Sequence, residues 1–553
     1  MPALAVLMLL VTQSDSAALL SHARRAQADF ERVRMFLLPA GSAHWGEECD
    51  ARIGRFCYWT DGGDSHVPPE PARIGVERSR LLAVLDSAAQ ALPGDAWVAG
   101  QRVRYLLEAG RPLDGALAAQ HCRAASWWCA ALEGLAWHVA GDVEAGEIMF
   151  QAALDIMPED ERCRWTDLSE LLEEPLRRRY RSLACDERSG FNSRVWWLAQ
   201  PLWSRTGNDR RTEHYARLTL ARLMEEARSP YGLWGNDQRE LIVRYGWPAA
   251  WERDDGGVGS TREPVAIGHE PEPSYHFVPD AGAFDAQTSG DEPGGLDWKS
   301  ARERYAPAYA ARFRILEPAF ATFRRGESTL VVGTYDLSSD TLYRYATREA
   351  ALVLARDEWS SPVVVRSPDA GSSGVLVAEA PWPPAMISLE LRAPEAEAAA
   401  RVRERPPVLT PASGAVTLSG ILLFEPADSL PTDLAVALTR PHIGGIARGE
   451  RIGLYWEAYG LAPGEDIATA VTVTPERNSW LRRVAATLRL ASRQGSVRVE
   501  WREGARLEQD RAARALVLDL TGLGAGRYRI DVAVSGPGRA EAITSRRVDV
   551  VER

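Results

Sequence analysis

Residues 196–251 read WWLAQPLWSRTGNDRRTEHYARLTLARLMEEARSPYGLWGNDQRELIVRYGWPAAW, and this stretch divides a helical first half of the chain from a β-rich second half. Its leading part is polar and arginine-rich. Tyr215, Leu218 and Met224 fall on or near one helical face, while Arg210, Arg211, Arg217 and Arg222 alternate with Glu213, Glu225 and Glu226. That spacing predicts a helix whose charges stay solvated or pair within the helix. After Pro230 the run Gly232-Leu233-Trp234-Gly235-Asn236-Asp237 reads as a turn, with Asp237 placed to accept backbone N–H groups and to pair with Arg239. Leu241, Val243 and Tyr245 then alternate with Glu240, Ile242 and Arg244, which predicts a short strand closed by Gly246 and Pro248.

On the N-terminal side, residues 75–190 carry a helical, repeating pattern. Gly134, Trp137, Gly146, Phe150, Ala153 and Pro158 follow the spacing of a tetratricopeptide unit, in which small residues let helices approach and aromatics fill the gaps. Gly100 lies one repeat earlier, and Leu92-Pro93 closes a helix as Met157-Pro158 does. The segment resembles two or three degenerate tetratricopeptide units, which implies a stacked scaffold with a peptide-binding concave face; a plain helical bundle is the alternative. Still earlier, residues 3–11 form an apolar run far shorter than the ~20 residues that span a bilayer. Ser16 and Ala18 stand where a signal peptidase inspects the chain, although no basic residue precedes the run. The reading is a cleaved leader at 1–18 and no integral membrane span; the alternative is a first apolar turn of the mature protein.

On the C-terminal side the composition changes abruptly. Residues 252–298 are acidic and rich in turn formers, with one short strand expected near 274–278. Residues 300–325 read as partly helical, interrupted by Pro307 and Pro318. Strands are predicted from Ser328 (STLVVGTYDL) and at 361–365, 374–378 and 386–391, before a Pro- and Ala-rich linker at 393–411. In the last domain Ile452, Leu454, Trp456 and Ala458 share a face, as do Val497, Val499 and Trp501, and Tyr528, Ile530, Val532 and Val534. Short alternating strands with Gly and Pro turns indicate antiparallel sandwiches.

The fold class is therefore multidomain, α then β. It comprises helical repeats at 19–190, a small α+β module at 191–251, a connector at 252–298, a β-sandwich-like domain at 299–405 and a fibronectin-like β-sandwich at 412–553. Such a division suits 553 residues. The net charge of -11 is spread evenly and no basic face is visible, which argues against nucleic acid as a partner. Lys299 is the single lysine, so arginine abundance reflects base composition rather than phosphate recognition. Six cysteines fall as local pairs, Cys49 with Cys57, Cys122 with Cys129 and Cys163 with Cys185, which suits disulfides in an oxidising compartment.

The opening stretch resembles the bacterial GWxTD-domain proteins. Leu233-Trp234-Gly235-Asn236-Asp237 stands where that family has Gly-Trp-x-Thr-Asp, so Trp234 and Asp237 match while Leu233 and Asn236 depart. The run from Gln238 to Gly246 is similar to the family's Arg-Gly-x-Ile-Tyr-Ile-x-Tyr-Gly, with Glu240 in place of glycine. The residues carrying the likeness are Trp234, Asp237, Arg239, Tyr245, Gly246 and Pro248. The resemblance implies an architecture and an exported setting, and no catalytic residues, because the family has no established activity.

No nucleophile elbow, P-loop or dinucleotide fingerprint is present. Pro271 and Pro273 separate His269 and Glu270 from His276 and forbid the helix of a zinc-protease motif. His121 beside Cys122 and Cys129 reads as a buried residue next to a disulfide. No cofactor or metal is expected. The leading expectation is an exported, non-enzymatic scaffold of the periplasm or envelope, binding a protein or peptide through the repeat concavity or the sandwich loops. The alternatives are an envelope hydrolase with a polar cleft around Asp237 and Arg239, and a carbohydrate-binding sandwich with coplanar exposed aromatics.

Overall fold

The computed structural model describes residues 2–40, 51–54, 56–58, 69–228, 235–248, 250–254, 265–269, 275–285, 302–317, 319–343, 346–476 and 497–552. Cys49 and Trp234 lie outside them, as does the side chain of Cys57. The chain forms two compact units, Met1–Ala286 with Pro293–Phe313, and Gln287–Glu292 with Arg314–Arg553. Helices dominate the first and mostly antiparallel sheets the second, an α-then-β multidomain architecture.

The first unit opens with α1 (Pro2–Leu37), a two-stranded hairpin of β1 (Ala51–Ile53) and β2 (Phe56–Tyr58), and α2 (Ala72–Ala91). There follow α3 (Ala96–Glu108), α4 (Pro112–Gln120), α5 (Ser126–Val139) and α6 (Val143–Ile156), each packed on the next. Local chemistry sets their starts. The Asp95 and Asp142 carboxylates accept the N–H groups of Val98 and Ala145, capping α3 and α6, and Pro112 opens α4 where no donor is needed. At the α5–α6 crossing a Cβ on Gly134 would lie 3.0 Å from the Phe150 ring, so the glycine admits the aromatic side chain. The helix α1 runs unbroken through Ser16 and Ala18. It buries Ala23, Gln27, Phe30, Glu31 and Arg34, and ties itself to α3 through Glu31–Arg104 (2.8 Å) and Arg34–Glu108 (2.9 Å). Among the described residues no helix is long and apolar enough to cross a membrane. Disulfides join Cys122 to Cys129 and Cys163 to Cys185; such bonds persist in oxidising compartments.

Next come α7 (Glu159–Trp165), α8 (Glu174–Arg181), α9 (Arg188–Ala199), α10 (Asp209–Glu225) and α11 (Asn236–Tyr245), then a hairpin of β3 (Ala250–Asp254) and β4 (Val265–His269), and α12 (Ala281–Asp285). Two expectations are corrected here. Residues 236–245 are helical, not a strand: Gln238, Leu241, Ile242 and Tyr245 recur at the 3.6-residue period and are buried, and Glu240 pairs with Arg244 one turn on. The strand expected near 274–278 is reduced to a single bridge between Tyr275 and Tyr305, and strand structure lies instead at β4.

In the second unit, β5 (Arg312–Ile315), β6 (Phe320–Arg325), β7 (Ser328–Asp336), β8 (Glu349–Ala355), β9 (Val363–Ser367), β10 (Ser373–Ala380), β11 (Met386–Ala393) and β12 (Ala398–Glu404) make one sandwich. A three-stranded sheet ordered β10-β7-β6 faces a five-stranded one ordered β5-β12-β11-β8-β9. Val331, Leu352, Leu376, Leu389 and Val402 meet between them. Residues 312–315 and 320–325 are thus strands rather than partial helix, and the supposed linker at 393–411 supplies β12, an interior strand.

The second sandwich contains β13 (Thr417–Leu418), β14 (Leu422–Phe424), α13 (Leu434–Ala437), β15 (Ile446–Ala447), β16 (Arg451–Tyr459), β17 (Asp466–Pro475), β18 (Val497–Gly504), β19 (Arg511–Asp519), β20 (Gly526–Ser535) and β21 (Ala542–Val551). One sheet is built around β16, which pairs with β13, β14 and β19; the other is ordered β15-β21-β20-β17-β18. Ile452, Leu454 and Trp456 enter its core opposite Val471, Ile530 and Val532. The opposite face of β16 packs Tyr455 against Ala321 and Phe323 of β6, so the two sandwiches share a third apolar layer.

Candidate functional site

The helix α10 is polar in sequence yet buried on every side, with Arg210, Thr212, His214, Tyr215, Arg217, Thr219 and Leu223 all inside. It lies against α3, α5 and α6. Trp97 Nε1 and Gln101 Nε2 of α3 donate to the backbone oxygens of Glu226 and Leu223 at 2.8 Å each, and a Cβ on Gly100 would meet Leu223 at 2.5 Å. Tyr215 contacts Phe150 and Trp165, and the Arg222 guanidinium stands 4.8 Å from the rings of both Trp127 and Trp128. The face that α3, α5 and α6 present on this side therefore holds the chain's own helix α10.

Charges on α10 are neutralised at long range as well as within the helix. Arg217–Glu213 and Arg222–Glu226 are internal pairs, whereas Arg211 reaches Glu147 and Arg210 reaches Glu303. Arg210 and Glu303 have side chains 0% exposed, and both Nε and Nη2 donate to the same carboxylate oxygen at 3.0 and 2.6 Å. The other oxygen of Glu303 accepts from His276 Nδ1 and from the N–H groups of Phe277 and Val278. Burial alone would raise the Glu303 carboxyl, but Arg210 and His276 outweigh it and hold it well below the carboxylate range. Burial likewise lowers His276, and its bond to Glu303 reverses the shift. His214, buried and surrounded by Arg210, Arg217 and Arg239, is driven well below its usual value and stays neutral against the Trp196 ring.

The family-motif positions surround α11. Asp237 is half-buried; one of its oxygens accepts the N–H of Gln238, and its Cβ sits close against Gly54 of the β1–β2 hairpin. Arg239 pairs with Glu170 rather than with Asp237. Tyr245 is buried, its hydroxyl accepting from Arg244 Nη2. Gly246 ends the helix at φ +92°, a conformation that favours glycine, with Arg217 3.1 Å from where a Cβ would stand. That guanidinium donates to the carbonyls of Arg244 and Arg304, so a buried arginine of α10 satisfies the C-terminal end of α11. Pro248 follows, partly exposed.

Around α11 a half-exposed polar cluster forms. Glu170 receives Arg239, while Glu240 accepts from Arg244 (3.0 Å) and Arg302 (3.2 Å). Burial raises the Glu170 carboxyl, and the charge of Glu240 adds to it against the pull of Arg239. Sequence reasoning passed over Glu170, Arg302 and Glu303 because each lies 60 or more residues from its partner and no local pattern marks it. No group of three or more potential metal ligands occurs among the described residues.

In the second unit, strand register gathers four connections at one end of the first sandwich. Arg325 pairs with Ser328 at the 326–327 turn, Ala380 with Thr329, Met386 with Ala355, and Ile387 with Glu404. The connection after β8 carries Trp359, 69% exposed, on a turn in which one Asp357 oxygen accepts the N–H groups of both Trp359 and Ser360. Nearby, Pro383, Pro384, Pro406, Pro407 and Val408 line a groove of about 110 Å³.

No protein-family model and no curated protein matches this chain. Among solved structures, the chain is similar to a tetra-tandem repeat from the extending region of a large adhesion protein, at 12% identity and TM-score 0.14, over 42% of this chain and 49% of that one. Red sea bream transglutaminase matches at 11% identity and TM-score 0.15, over 43% and 31%. Escherichia coli alpha-2-macroglobulin, from domain MG7 to the C-terminus, matches at 10% identity and TM-score 0.15, over 89% and 60%. The chain spans less than two thirds of each, and TM-scores this low do not establish a shared fold.

Proposed function

We propose that this chain is an exported scaffold or protein-interaction protein of the bacterial envelope, with tetratricopeptide-like repeats, a GWxTD-like module and two sandwiches. It engages its partner through the loop end of the first sandwich rather than through the repeat. The observation that carries this reading is Trp359. An exposed indole carried on a hydrogen-bonded turn presents a large apolar surface with few rotatable bonds to order when a partner covers it, and such residues dominate binding energies. The proline-lined groove at the same end of the sandwich offers a second rigid apolar contact. With α10 seated on α3 and α5, the face they present on that side is not open to a peptide. The two disulfides support export.

The test pairs affinity capture from envelope extract with thermal melts. Trp359→Ala is expected to lose the captured partner while melting unchanged. Full capture by that variant would overturn the assignment of this surface, and recovery of the native protein from the cytoplasmic fraction would overturn export.

A second reading, an envelope hydrolase, is favoured by one observation: two neighbouring carboxylates, Glu170 and Glu240, are half-exposed among arginines, and burial raises the Glu170 carboxyl. In this reading Glu170, the partner of Arg239, is the candidate acid of the polar cleft around Asp237 and Arg239. Hydrolysis of peptide or glycan substrates that vanishes in Glu170→Gln would support it; identical turnover in wild type and variant would sink it.

A further inference from the structure

Strand β18 is the outer strand of its five-stranded sheet, paired on one side only, with β17. Among the described residues nothing bonds to the main-chain groups along its other side. Proteins usually blunt such an edge by shortening it or bending it with a bulge. Here it is eight residues long and in unbroken register, from Val497 opposite Val473 to Gly504 opposite Asp466.

The side chains are arranged in two rows. Val497, Val499 and Trp501 stand opposite Val473, Val471 and Thr469, on the face that lines the sandwich core. Trp501 packs against that core, but Val497 and Val499 are 52% and 46% exposed, so an apolar row continues past the end of its own sandwich. On the other face Arg498, Glu500 and Arg502 alternate in sign, with Arg498 and Glu500 paired at 3.2 Å.

The geometry points to this edge as the place where two copies of the chain join, strand to strand and antiparallel, about a two-fold axis through Val499. In that register Val499 meets its own counterpart and Val497 meets Trp501 of the second copy. Arg498 meets Glu500 of the second copy, and Glu500 meets Arg498. Opposite charges directly across a strand pair stabilise it and like charges oppose it. Centring the axis on Glu500 would set Glu500 against itself and Arg498 against Arg502, while centring it on Trp501 would place Val499 against Glu503. Only the Val499 register matches both rows at once. It also joins the two apolar rows into one and gives the main-chain groups from Val497 to Trp501 partners. This inference goes beyond the loop surface around Trp359 and does not depend on it.

Sedimentation analysis of the full chain across the micromolar range tests the arrangement. Wild type is expected to show a concentration-dependent dimer. Arg498→Glu and Glu500→Arg, each placing like charges across the axis twice, are expected to weaken it roughly ten-fold or more. The double variant R498E/E500R restores the opposition and is expected to recover dimerisation, which separates pairing from any loss of folding. A cysteine on the axis, Val499→Cys, is expected to give a disulfide-linked dimer under mild oxidation, and Arg502→Cys is not. A monomeric wild type would overturn the proposal, as would single charge swaps that leave the dimer unchanged or a double variant that stays monomeric.

Discussion

The Arg325 guanidinium of β6 grips Glu457 of β16 with both terminal nitrogens, at 2.7 and 2.9 Å. Glu457 is fully buried, and its oxygens also accept the hydroxyls of Tyr455 and Tyr459 at 2.8 Å each. Tyr459 in turn accepts the N–H of Arg324. Burial, reinforced by the adjacent carboxylate, raises both phenols well above their usual value, so they remain donors across the accessible pH range. The clamp joins the two sandwiches beside their shared apolar layer.

Removing the arginine leaves that carboxylate underpaired. Arg325→Ala is expected to cost roughly 3–5 kcal/mol, the penalty for breaking a buried pair from one side. Urea unfolding followed by tryptophan fluorescence checks it. A midpoint within error of wild type would show that the tyrosines and Arg511, 3.8 Å from the same carboxylate, suffice.

The first unit should be most stable near neutrality. His276 has a raised value, so its contribution is complete below the unfolded value of 6.5 and is lost as pH rises through the folded one. His214 is depressed, so its contribution is complete above 6.5 and is lost as pH falls. Glu213 and Glu303, both depressed from 4.5, add a further loss in stronger acid. Melting temperature against pH should therefore peak near 6.5. His214→Phe should flatten the mildly acidic limb and His276→Gln the alkaline one; an unchanged profile in both would refute the assignment.

Gly100 keeps the surface of α3 low enough for α10. Because a Cβ there would lie 2.5 Å from Leu223, Gly100→Ala is expected to destabilise the unit by about 1–3 kcal/mol through overpacking. Adding Leu223→Ala should recover part of that loss, because the clashing methyl is gone. A double-mutant cycle with no coupling between the two positions would contradict the contact.

Reduction should weaken the helical unit unevenly. Cys163–Cys185 closes a separation of 22 residues and Cys122–Cys129 one of 7, so the first constrains the unfolded chain more. Cys163→Ser with Cys185→Ser is expected to lower the melting temperature further than Cys122→Ser with Cys129→Ser. Mass spectrometry after alkylation, with and without reductant, counts the bonded thiols independently.

Much of the fold is legible because period and burial coincide. Ile452, Leu454 and Trp456 alternate in sequence and all enter one core. Where both faces of an element are covered, the period disappears. In β12, Ala398, Ala400 and Val402 face the sandwich core while Ala399, Arg401 and Arg403 are buried on the other side, so an interior strand reads as a charged, alanine-rich linker. In α11 the buried Gln238 completes the helical stripe, and a polar residue is not counted when apolar spacing alone is followed. The candidate sites were less legible than the fold. Arg210 and Glu303 stand 93 residues apart, and Arg325 and Glu457 132 apart, so neither pair leaves a local trace.

That separation between α10 and its buried counter-charge also bears on how the protein is made. Helices α3, α5 and α6 leave the ribosome before α10, which packs on them, and Arg210 follows without its buried anion until Glu303 emerges. Until α10 emerges those helices expose an aromatic groove, and from then until Glu303 follows, Arg210 lacks its buried counter-charge. A newly made chain in that condition is a natural client for a holding chaperone until its own later segment arrives.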